Sequence, residues 1–314
     1  MDELYKKLQN FGHAKTNIPL GKFTTFKIGG PAKYLVEVTD SEKLGELLTY
    51  LTGAGEDYFI LAGGSNLLLP DAGLDKVVIQ VKTTKVELLP DNQIFAEAGA
   101  QLAAVVALAL RNTFTGMEWG IGVPGSVGGA VRGNAGAMGQ DTWHVLVSVR
   151  AWQNSEVRDW KPDECGFAYR TSDFKTNGAL VLSAIYQLTP GERVKITTAM
   201  QTYLKQRTGR YPSFPSAGSF FKNNDLDKWK GDLKDLPPLF IERKKIPTGW
   251  LIEQCKLTSY TVGGAKISDE HGNFLINFNN ATQADVLAVM EKAQTEVYNR
   301  FGINLEPEVE IVKN

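Results

Sequence analysis

The chain has 314 residues, of which 43% are hydrophobic and 22% are charged, as in an ordinary water-soluble protein. Its 34 basic and 35 acidic residues nearly cancel, so no net charge attracts it to phosphate backbones or anionic lipid, and we expect neither nucleic acid nor a membrane as a partner. A chain of this length exceeds the size at which single hydrophobic cores usually stop growing, which predicts two or three domains.

The sequence carries no pattern typical of export, membrane insertion or metal binding. Residues 1–10 alternate charges and lack the apolar stretch of a secretory signal, and the longest apolar run, residues 102–110, is too short to span a bilayer. We therefore expect a cytoplasmic protein. The two cysteines lie far apart and the three histidines are scattered, so we predict neither a disulfide framework nor a metal site.

The first third of the chain alternates between strand and helix patterns. Residues 34–39 and 58–62 are predicted strands, and residues 42–51 between them are a predicted helix. Apolar residues recur along one face of that helix, at Leu44, Leu47, Leu48 and Leu51. We interpret these three elements as a βαβ unit.

Paired strands follow from about residue 76. Residues 85–89 and 93–97 flank a Pro-Asp-Asn turn, and residues 146–152 and 157–160 flank a second turn, so both pairs are predicted hairpins. A predicted helix, residues 102–111, interrupts them. It is apolar nearly all round, which predicts a position inside a domain.

A change of composition at residues 189–191 predicts a domain boundary. A helix over residues 194–207 is predicted to lead into a third region, in which residues 273–278 form a strand. A closing strand is predicted at residues 306–312.

The last helix has the clearest predicted ends. Asn280 is a suitable N-cap with Gln283 three residues later, and Gly302 is suited to end the helix. Between them the apolar residues repeat along one face, at Val286, Met290, Ala293 and Val297.

Three glycine clusters lie in the first half of the chain, at residues 27–31, 61–67 and 120–129. The second follows a predicted strand directly, so its glycines allow a sharp turn that brings successive N–H groups towards a phosphate, and Ser65 and Asn66 add polar side chains. A plain left-handed turn is the alternative for a single Gly-Gly pair. Two further clusters favour the ligand interpretation.

The third cluster matches the pattern GxGxxG at Gly120, Gly122 and Gly125. We reject a Rossmann site, because the preceding residues form a poor strand, Pro124 lacks an N–H, and glycines continue to Gly139. A long glycine-rich loop instead favours close approach of the backbone to a large flat ligand. No GxxxxGK[ST] occurs, so a P-loop nucleotide hydrolase is also disfavoured.

Eight segments in order carry a resemblance to a known family. They are TTFKIGGPA (24–32), ILAGGSNLLLPDAG (60–73), GVPGSVGGAVRGNAGAMG (122–139), FAYRTSDFK (167–175), PSAGSFFKN (215–223), IPTGWLIEQC (246–255), GGAKISDEHGNFLIN (263–277) and LEPEVEIV (305–312). The chain resembles the UDP-N-acetylenolpyruvoylglucosamine reductases, also called UDP-N-acetylmuramate dehydrogenases, over nearly its whole length. The compact stretch 188–219 resembles the shorter branch of the family, which lacks a substrate-covering tyrosine loop.

The resemblance implies an α+β fold with a two-part FAD-binding domain of the vanillyl-alcohol-oxidase/PCMH type and a C-terminal α+β substrate-binding domain. The implied parts are residues 1–76 and 77–193 for FAD and 194–305 for substrate, with the strand 306–314 returning to the first part. It implies a cytoplasmic enzyme of peptidoglycan synthesis in which NADPH reduces the flavin, and the flavin reduces UDP-N-acetylglucosamine enolpyruvate to UDP-N-acetylmuramate. We expect a monomer.

The resemblance also implies where FAD binds. The residues expected near its pyrophosphate and neighbouring groups are Ala62, Gly63, Gly64, Ser65, Asn66, Leu67, Gly122, Pro124, Gly125, Ser126, Gly128, Gly129, Asn134, Ala135 and Gly136. Related flavoproteins that attach the ring covalently use His or Cys. The motif loops here hold no His before the third region, so we expect non-covalent FAD.

Three residues match the catalytic positions of the family. Ser219 is expected to donate a proton to the enediolate carbon, and Arg170 to bind the substrate carboxylate through its planar guanidinium. Glu308 matches the third position. Period-two alternation places Glu306, Glu308 and Glu310 on one strand face, so only the motif selects Glu308. In isolation Ser219 would be a turn-capping loop serine and Arg170 a member of a surface ion pair.

Four further residues are expected near the substrate. Tyr169 precedes the catalytic arginine, although a half-buried strand tyrosine is the alternative. Lys222 and Asn223 follow Ser219 in its motif and are candidates for the UDP-sugar diphosphate and uracil, and His271 lies in a loop near the substrate-domain surface.

Two other functions remain open from the residues. The first is a different FAD-dependent oxidase or dehydrogenase acting on a sugar or alcohol, which needs a base and usually lacks the ordered Arg, Ser and Glu set. The second is a non-catalytic nucleotide-sugar binder with the same fold. The presence of all three catalytic positions disfavours the second.

Overall fold

The computed structural model describes residues 2–209 and 211–313, which fold as two units. Unit 1 comprises residues 2–18, 32–63 and 74–207, and unit 2 comprises residues 19–31, 64–73 and the described residues from 208 onward. Each unit has its own cluster of buried apolar side chains.

The borders of the units differ from the boundaries expected at residues 76 and 193. Two early segments belong to unit 2 because their apolar residues Phe26, Ile28 and Leu68 enter its core. Helix residues Ile196 and Met200 enter the core of unit 1 instead. The division of the FAD-binding part into two subdomains stays a prediction.

The described residues form helices and strands with the following bounds. The α-helices are α1 (Glu3–Leu8), α2 (Ser41–Ala54), α3 (Leu102–Arg111), α4 (Val127–Arg132), α5 (Arg193–Arg207), α6 (Pro238–Glu242), α7 (Thr248–Gln254) and α8 (Gln283–Phe301). The strands are β1 (His13–Pro19), β2 (Pro31–Val38), β3 (Tyr58–Leu61), β4 (Leu67–Leu68), β5 (Leu74–Val81), β6 (Val86–Leu89), β7 (Gln93–Glu97), β8 (Phe114–Thr115), β9 (Gly136–Ala137), β10 (Gln140–Asp141), β11 (Leu146–Gln153), β12 (Glu156–Trp160), β13 (Leu180–Gln187), β14 (Thr189–Pro190), β15 (Ser216–Ser219), β16 (Asn224–Asp225), β17 (Lys245–Ile246), β18 (Thr261–Val262), β19 (Ala265–Ile267), β20 (Phe274–Asn277) and β21 (Glu310–Ile311).

The predicted βαβ unit is confirmed in unit 1. Strands β2 and β3 each pair in parallel with β5, in a sheet ordered β1-β2-β5-β3. Helix α2 connects β2 to β3, and its four leucines at helical spacing are buried. The Asp40 carboxylate accepts hydrogen bonds from the N–H groups of Glu42 and Lys43, and Gly55 ends the helix at φ +70°.

The two predicted hairpins lie in one antiparallel sheet of unit 1, ordered β12-β11-β13-β7-β6. Helix α3 has the predicted bounds, but the expectation that it lies inside the domain is wrong in part. Leu102, Val105 and Val106 are buried, whereas Ala103 and Ala104 are exposed. Alanine is small enough to face water at little cost, so an apolar sequence did not require burial on every side.

Unit 2 is built on an antiparallel sheet ordered β15-β20-β19-β18, and α8 supplies four buried side chains to its core. The predicted N-cap of α8 is wrong by two residues: Asn280 has φ +51°, and Thr282 caps the helix in a capping box with Asp285. The expected end at Gly302, φ +66°, is confirmed.

The closing strand is shorter than predicted. Only Glu310–Ile311 forms a strand, which pairs in parallel with β4. Pro307 makes an isolated bridge to Phe221. Proline cannot donate to a ladder, which explains why regular pairing does not extend through it.

No helix among residues 2–209 and 211–313 is long and apolar enough to cross a membrane.

We predict that Asp285→Asn lowers the free energy of unfolding at pH 7 by about 1 kcal/mol, because its carboxylate accepts hydrogen bonds from the N–H groups of Thr282 and Gly264. These bonds hold the pKa of Asp285 below its usual value. A lowered pKa stabilises the fold above the unfolded value, and the contribution is lost as the pH falls through the folded value. Urea midpoints of the two proteins should therefore differ at pH 7 and begin to converge only as the pH falls below about 4, the unfolded value.

The exposed Asp227 offers a matched control, since Asp227→Asn removes a charge without removing such bonds. Equal midpoints for Asp285→Asn and the wild type at pH 7 would contradict the prediction.

Candidate active site

The loop 62–67 follows β3 and crosses from unit 1 to unit 2 along the sequence. In unit 2, Gly64 has φ +61°, and a Cβ at this position would lie 2.0 Å from the carbonyl oxygen of Phe23. In unit 1, a Cβ on Gly63 would lie 2.9 Å from the Cα of Gly125 and 3.0 Å from the nitrogen of Ser126. Glycine is thus required at both positions by close approach of another backbone segment.

Gly63 brings two glycine-rich segments of unit 1 together. None of the N–H groups of Gly63, Gly125 and Ser126 donates to a protein acceptor in the part of the chain that the structure describes. Adjacent N–H groups without protein acceptors are suited to bind anionic oxygens. These segments therefore fit a diphosphate, as the assignment of FAD to them requires.

The Asn134 side chain connects the segment 134–136 to two neighbouring segments of unit 1. The Asn134 side chain is 2% exposed and donates to the carbonyl oxygen of Ala168 at 3.0 Å and to the Asp141 carboxylate at 3.2 Å. Its own oxygen accepts from the N–H of Trp143 at 3.1 Å. The Asn134 side chain thus holds protein groups in place, and whether its backbone contacts FAD stays a prediction.

Tyr169 and Arg170 occupy the two central positions of a tight turn. Ala168 and Thr171 exchange both main-chain hydrogen bonds across it, and Arg170 has φ +58°. The Arg170 guanidinium donates to the carbonyl oxygen of Gly136 at 2.7 Å, and Lys175 Nζ donates to the carbonyl oxygen of Arg170 at 2.7 Å. A left-handed backbone at a non-glycine residue is strained, and such strain clusters at functional sites.

Within unit 1, the turn places the residues predicted to bind substrate, Tyr169 and Arg170, next to the segment predicted to contact FAD, residues 134–136. Through Gly136, the arginine lies beside the segment expected to contact FAD. Tyr169 is exposed, with the Arg170 guanidinium carbon 5.2 Å from its ring centroid. The sequence reasoning missed Lys175, although it lies in the same motif as Arg170, because no spacing rule links an ammonium to a main-chain carbonyl.

Ser219 ends β15 in unit 2. The pairing of β15 with β20 shifts by one residue between Ser216 and Ser219, and Gly218 in between has φ +81°. This bulge sets Ser219 on the same sheet face as Ser216, where uninterrupted alternation would place them on opposite faces.

The Ser219 hydroxyl is half-buried and makes no hydrogen bond to any residue in 2–209 or 211–313. The neighbouring Ser216 Oγ, in contrast, accepts from the N–H of Gly218 at 3.4 Å. A Cβ added to Gly218 would meet no described atom within 4 Å, apart from its own residue and its chain neighbours. Ser219 therefore does not cap a turn, because its hydroxyl bonds to no described main-chain group.

Glu308 is attached to the segment that carries Ser219. Its N–H donates to the carbonyl oxygen of Phe220 at 2.8 Å, and its carbonyl oxygen accepts from Asn66 Nδ2 at 3.0 Å. The structure thereby brings Ser219, Glu308 and part of the 62–67 loop together in unit 2. Arg170 lies in unit 1.

The three closely spaced glutamates have different surroundings. Glu306 forms an ion pair with Lys222, and the N–H of Glu310 donates to the carbonyl oxygen of Asn66 at 3.0 Å. Only Glu308 bonds through its N–H to the residue after Ser219. The expectation of one regular strand face fails because residues 306–309 are not in a strand.

The other predicted substrate residues are held by protein contacts. Lys222 is in the ion pair with Glu306, and Asn223 Oδ1 accepts from the N–H of Thr248 at the start of α7, 3.1 Å away. His271 Nδ1 accepts from the N–H of Asn273 at 3.1 Å, and its ring lies edge-on to Phe274. Their roles towards substrate stay predictions. In the described residues, no group of three His, Cys, Asp or Glu could hold a metal ion.

Two family models match the chain. Residues 32–156 match an FAD binding domain, and residues 210–312 match the C-terminal domain of UDP-N-acetylenolpyruvoylglucosamine reductase.

Full-length relatives give the same result. The chain is 35% identical to the UDP-N-acetylenolpyruvoylglucosamine reductase of Carboxydothermus hydrogenoformans over 317 residues, which cover 99% of this chain and 97% of the relative. It is 36% identical to the reductase of a Synechococcus species over 305 residues, covering 96% and 92% of the two chains. The crystal structure of UDP-N-acetylenolpyruvylglucosamine reductase from Thermus caldophilus is similar with a TM-score of 0.77 and 29% identity, covering 96% of this chain and 98% of that one. The predicted fold class is confirmed.

We predict that Gly63→Ala weakens FAD binding. The new methyl group would displace the backbone at Gly125, and overpacking of this kind costs about 1–3 kcal/mol. If this cost falls on the bound state, it corresponds to a loss of about 5-fold to 150-fold in affinity. Quenching of flavin fluorescence on titration with apoprotein measures the change.

Gly45→Ala is the matched control, because a Cβ at that position on α2 would meet no described atom within 4 Å apart from its chain neighbours and the backbone of its own helix. It should leave FAD affinity unchanged. An unchanged affinity in Gly63→Ala would show that the approach of the two segments does not shape the FAD site.

Proposed function

The chain belongs to the family of UDP-N-acetylenolpyruvoylglucosamine reductases, and on that basis we propose that it reduces UDP-N-acetylglucosamine enolpyruvate to UDP-N-acetylmuramate, with FAD as cofactor and NADPH as electron donor. The observation that best supports this reaction is the half-buried Ser219 hydroxyl, which has no protein hydrogen-bond partner among the described residues and is linked through Phe220 to Glu308.

The reaction sets three requirements. The enolpyruvyl double bond must receive a hydride at one carbon and a proton at its neighbour, while negative charge passes through the adjoining carboxylate as an enediolate. Bound FAD supplies the hydride. The protein must supply the proton and stabilise the carboxylate, and these two tasks fall to its own side chains.

Ser219 is the proposed proton donor. An aliphatic hydroxyl is a weak acid, so it acts only when it is placed against the carbon that develops negative charge. The bulge before Ser219 fixes the direction of its side chain, and no competing protein acceptor holds the hydroxyl in the described chain. The proton passes from Ser219 Oγ to the enediolate carbon.

Arg170 is proposed to bind the substrate carboxylate and to stabilise the charge of the enediolate. A guanidinium can present two parallel N–H donors to a carboxylate, which a lysine cannot do. The turn that carries Arg170 is held by the paired main-chain bonds of Ala168 and Thr171 and by Lys175. A side chain on a rigid turn loses little conformational entropy when the substrate binds.

Glu308 is proposed to assist the charge change at the substrate carboxyl group. Its N–H donates to the carbonyl oxygen of Phe220, the residue that directly follows Ser219. This bond ties the backbone of Glu308 to the segment that carries Ser219.

FAD is proposed to be non-covalent. Cys165 is buried, its thiol donates to the carbonyl oxygen of Lys161, and burial raises its pKa to about 12, so it stays protonated. The cysteines Cys165 and Cys255 are unpaired, in keeping with a reducing compartment, and we propose a cytoplasmic monomer. Light scattering after size exclusion tests the oligomeric state.

We predict that Ser219→Ala separates the two half-reactions. Under anaerobic conditions NADPH should bleach the flavin absorbance at the wild-type rate. Reoxidation by UDP-N-acetylglucosamine enolpyruvate should slow by at least about 10²-fold, because the general acid is missing. Stopped-flow absorbance follows both steps.

Ser216→Ala is the matched control, since it removes a hydroxyl from the same strand face. It should reoxidise at the wild-type rate. If Ser219→Ala also does so, Ser219 is not the proton donor. If the wild-type flavin is reoxidised by oxygen and not by the enolpyruvyl sugar, the proposed reaction is wrong and an oxidase acting on a sugar or alcohol takes its place.

A further inference from the structure

We propose that Asn66 is a positioning residue for Glu308, and that it couples the diphosphate-binding loop to the chain segment that carries Glu308. The proposal rests on the proposed function, because it takes FAD to bind at the 62–67 loop and Glu308 to act on substrate. The residue was predicted from sequence only as a direct contributor to FAD binding.

The 62–67 loop and the segment 308–312 are joined by the Asn66 side chain and by main-chain hydrogen bonds. Asn66 Nδ2 donates to the carbonyl oxygen of Glu308 at 3.0 Å, and the carbonyl oxygen of Asn66 accepts from the N–H of Glu310 at 3.0 Å. Further along, the N–H of Val312 donates to the carbonyl oxygen of Leu68 at 3.0 Å. A displacement of the loop would therefore be transmitted to the segment 308–312.

The Asn66 bond fixes one of the two peptide groups that flank Glu308. The preceding peptide is fixed by the bond from the N–H of Glu308 to the carbonyl oxygen of Phe220, 2.8 Å. In the following peptide, the N–H of Val309 also lies 3.3 Å from that oxygen, and the carbonyl oxygen of Glu308 bonds to Asn66. Two fixed peptide planes determine the direction of the Cα–Cβ bond, so Asn66 helps to aim the Glu308 side chain.

The backbone of the same loop remains available to an anion. The N–H groups of Gly64 and Asn66 donate to no protein acceptor among residues 2–209 and 211–313. Asn66 can thus present its N–H to a phosphate oxygen while its side chain bonds to Glu308. An acidic side chain of the same size could not replace it, because a carboxylate would face the Glu308 carbonyl oxygen without a hydrogen to donate.

Asn66 is exposed, so water competes for its side-chain amide when the loop is uncovered. A bound diphosphate would order the loop and exclude some of this water, and a hydrogen bond strengthens when its surroundings become less polar. Binding of FAD should therefore tighten the hold on Glu308.

The test uses the holoenzyme and the variants Asn66→Ala and Asn66→Asp, both at saturating FAD. The first removes the side-chain amide, and the second keeps its size and removes only the donor. Stopped-flow absorbance measures flavin reduction by NADPH and reoxidation by the enolpyruvyl sugar separately. Hydrogen exchange of the peptide covering residues 306–311, with and without FAD, reports on the segment itself.

Gln294→Ala is the matched control. Gln294 Nε2 donates to the carbonyl oxygen of Leu305 at 3.0 Å, so this variant removes the same kind of bond from the chain that leads to Glu308 without touching the peptides on either side of it. Its two half-reactions should proceed at wild-type rates.

We expect both Asn66 variants to slow reoxidation by on the order of tenfold to hundredfold, the loss typical of a slightly misplaced catalytic group, while reduction by NADPH is unchanged. Exchange in residues 306–311 should become faster, and FAD should slow it less than in the wild type. Wild-type reoxidation in either variant at saturating FAD would overturn the proposal, as would unchanged exchange in this peptide.

The two proposals fail in distinguishable ways. If the wild-type flavin is not reoxidised by the enolpyruvyl sugar, the proposed function fails, and exchange in residues 306–311 still reports whether Asn66 holds Glu308. If an Asn66 variant retains no FAD, hydrogen exchange of residues 306–311 is compared between the FAD-free variant and the FAD-free wild type. Faster exchange in the variant supports the proposal that Asn66 positions Glu308. Equal exchange overturns it.

Discussion

The main-chain hydrogen bond from Glu308 to Phe220 is the contact on which the proposed chemistry of unit 2 depends. It attaches the C-terminal segment to the strand that ends at Ser219, and so sets two proposed catalytic groups in a fixed relation. The surrounding contacts reinforce it: the N–H of Phe220 donates to the carbonyl oxygen of Asn273 at 2.8 Å, and the Asn273 side chain pairs with both main-chain groups of Phe221. This polar side chain, 2% exposed, bonds to the main chain of Phe221 just beyond Ser219, where the pairing of β15 with β20 ends.

Short segments rather than long strands carry the proposed catalytic groups. The turn with Arg170, the bulge before Ser219 and the irregular chain around Glu308 each lie where regular pairing stops. Regular sheets would alternate side chains between two faces and fix their directions by position alone. The irregular segments allow other directions, and a side chain that bonds to main chain stabilises each of them or the residues next to it: Lys175 at the turn, Asn273 at Phe221 just after Ser219, and Asn66 at Glu308.

Local sequence patterns predicted much of the fold. Helix α2, the hairpins β6-β7 and β11-β12, and the glycine end of α8 follow from spacing and capping rules, which depend on residues within a few positions. The N-cap of α8 was misplaced because Asn280 and Thr282 are both good capping residues, and only the φ of +51° at Asn280 distinguishes them. The exposed alanines of α3 show the limit of composition as a measure of burial.

The sequence by itself determined the family and the glycine-rich segments, and it proposed Ser219, Arg170 and Glu308 as catalytic residues, because all of these lie in contiguous motifs. Period-two alternation could not separate Glu306, Glu308 and Glu310, since it assumes an extended strand that the chain does not form there. Tertiary structure decided that Glu306 pairs with Lys222 and that Glu308 bonds to Asn66. Asn66 and Glu308 are 242 positions apart, and such contacts depend on how the whole chain returns on itself, which no local pattern specifies.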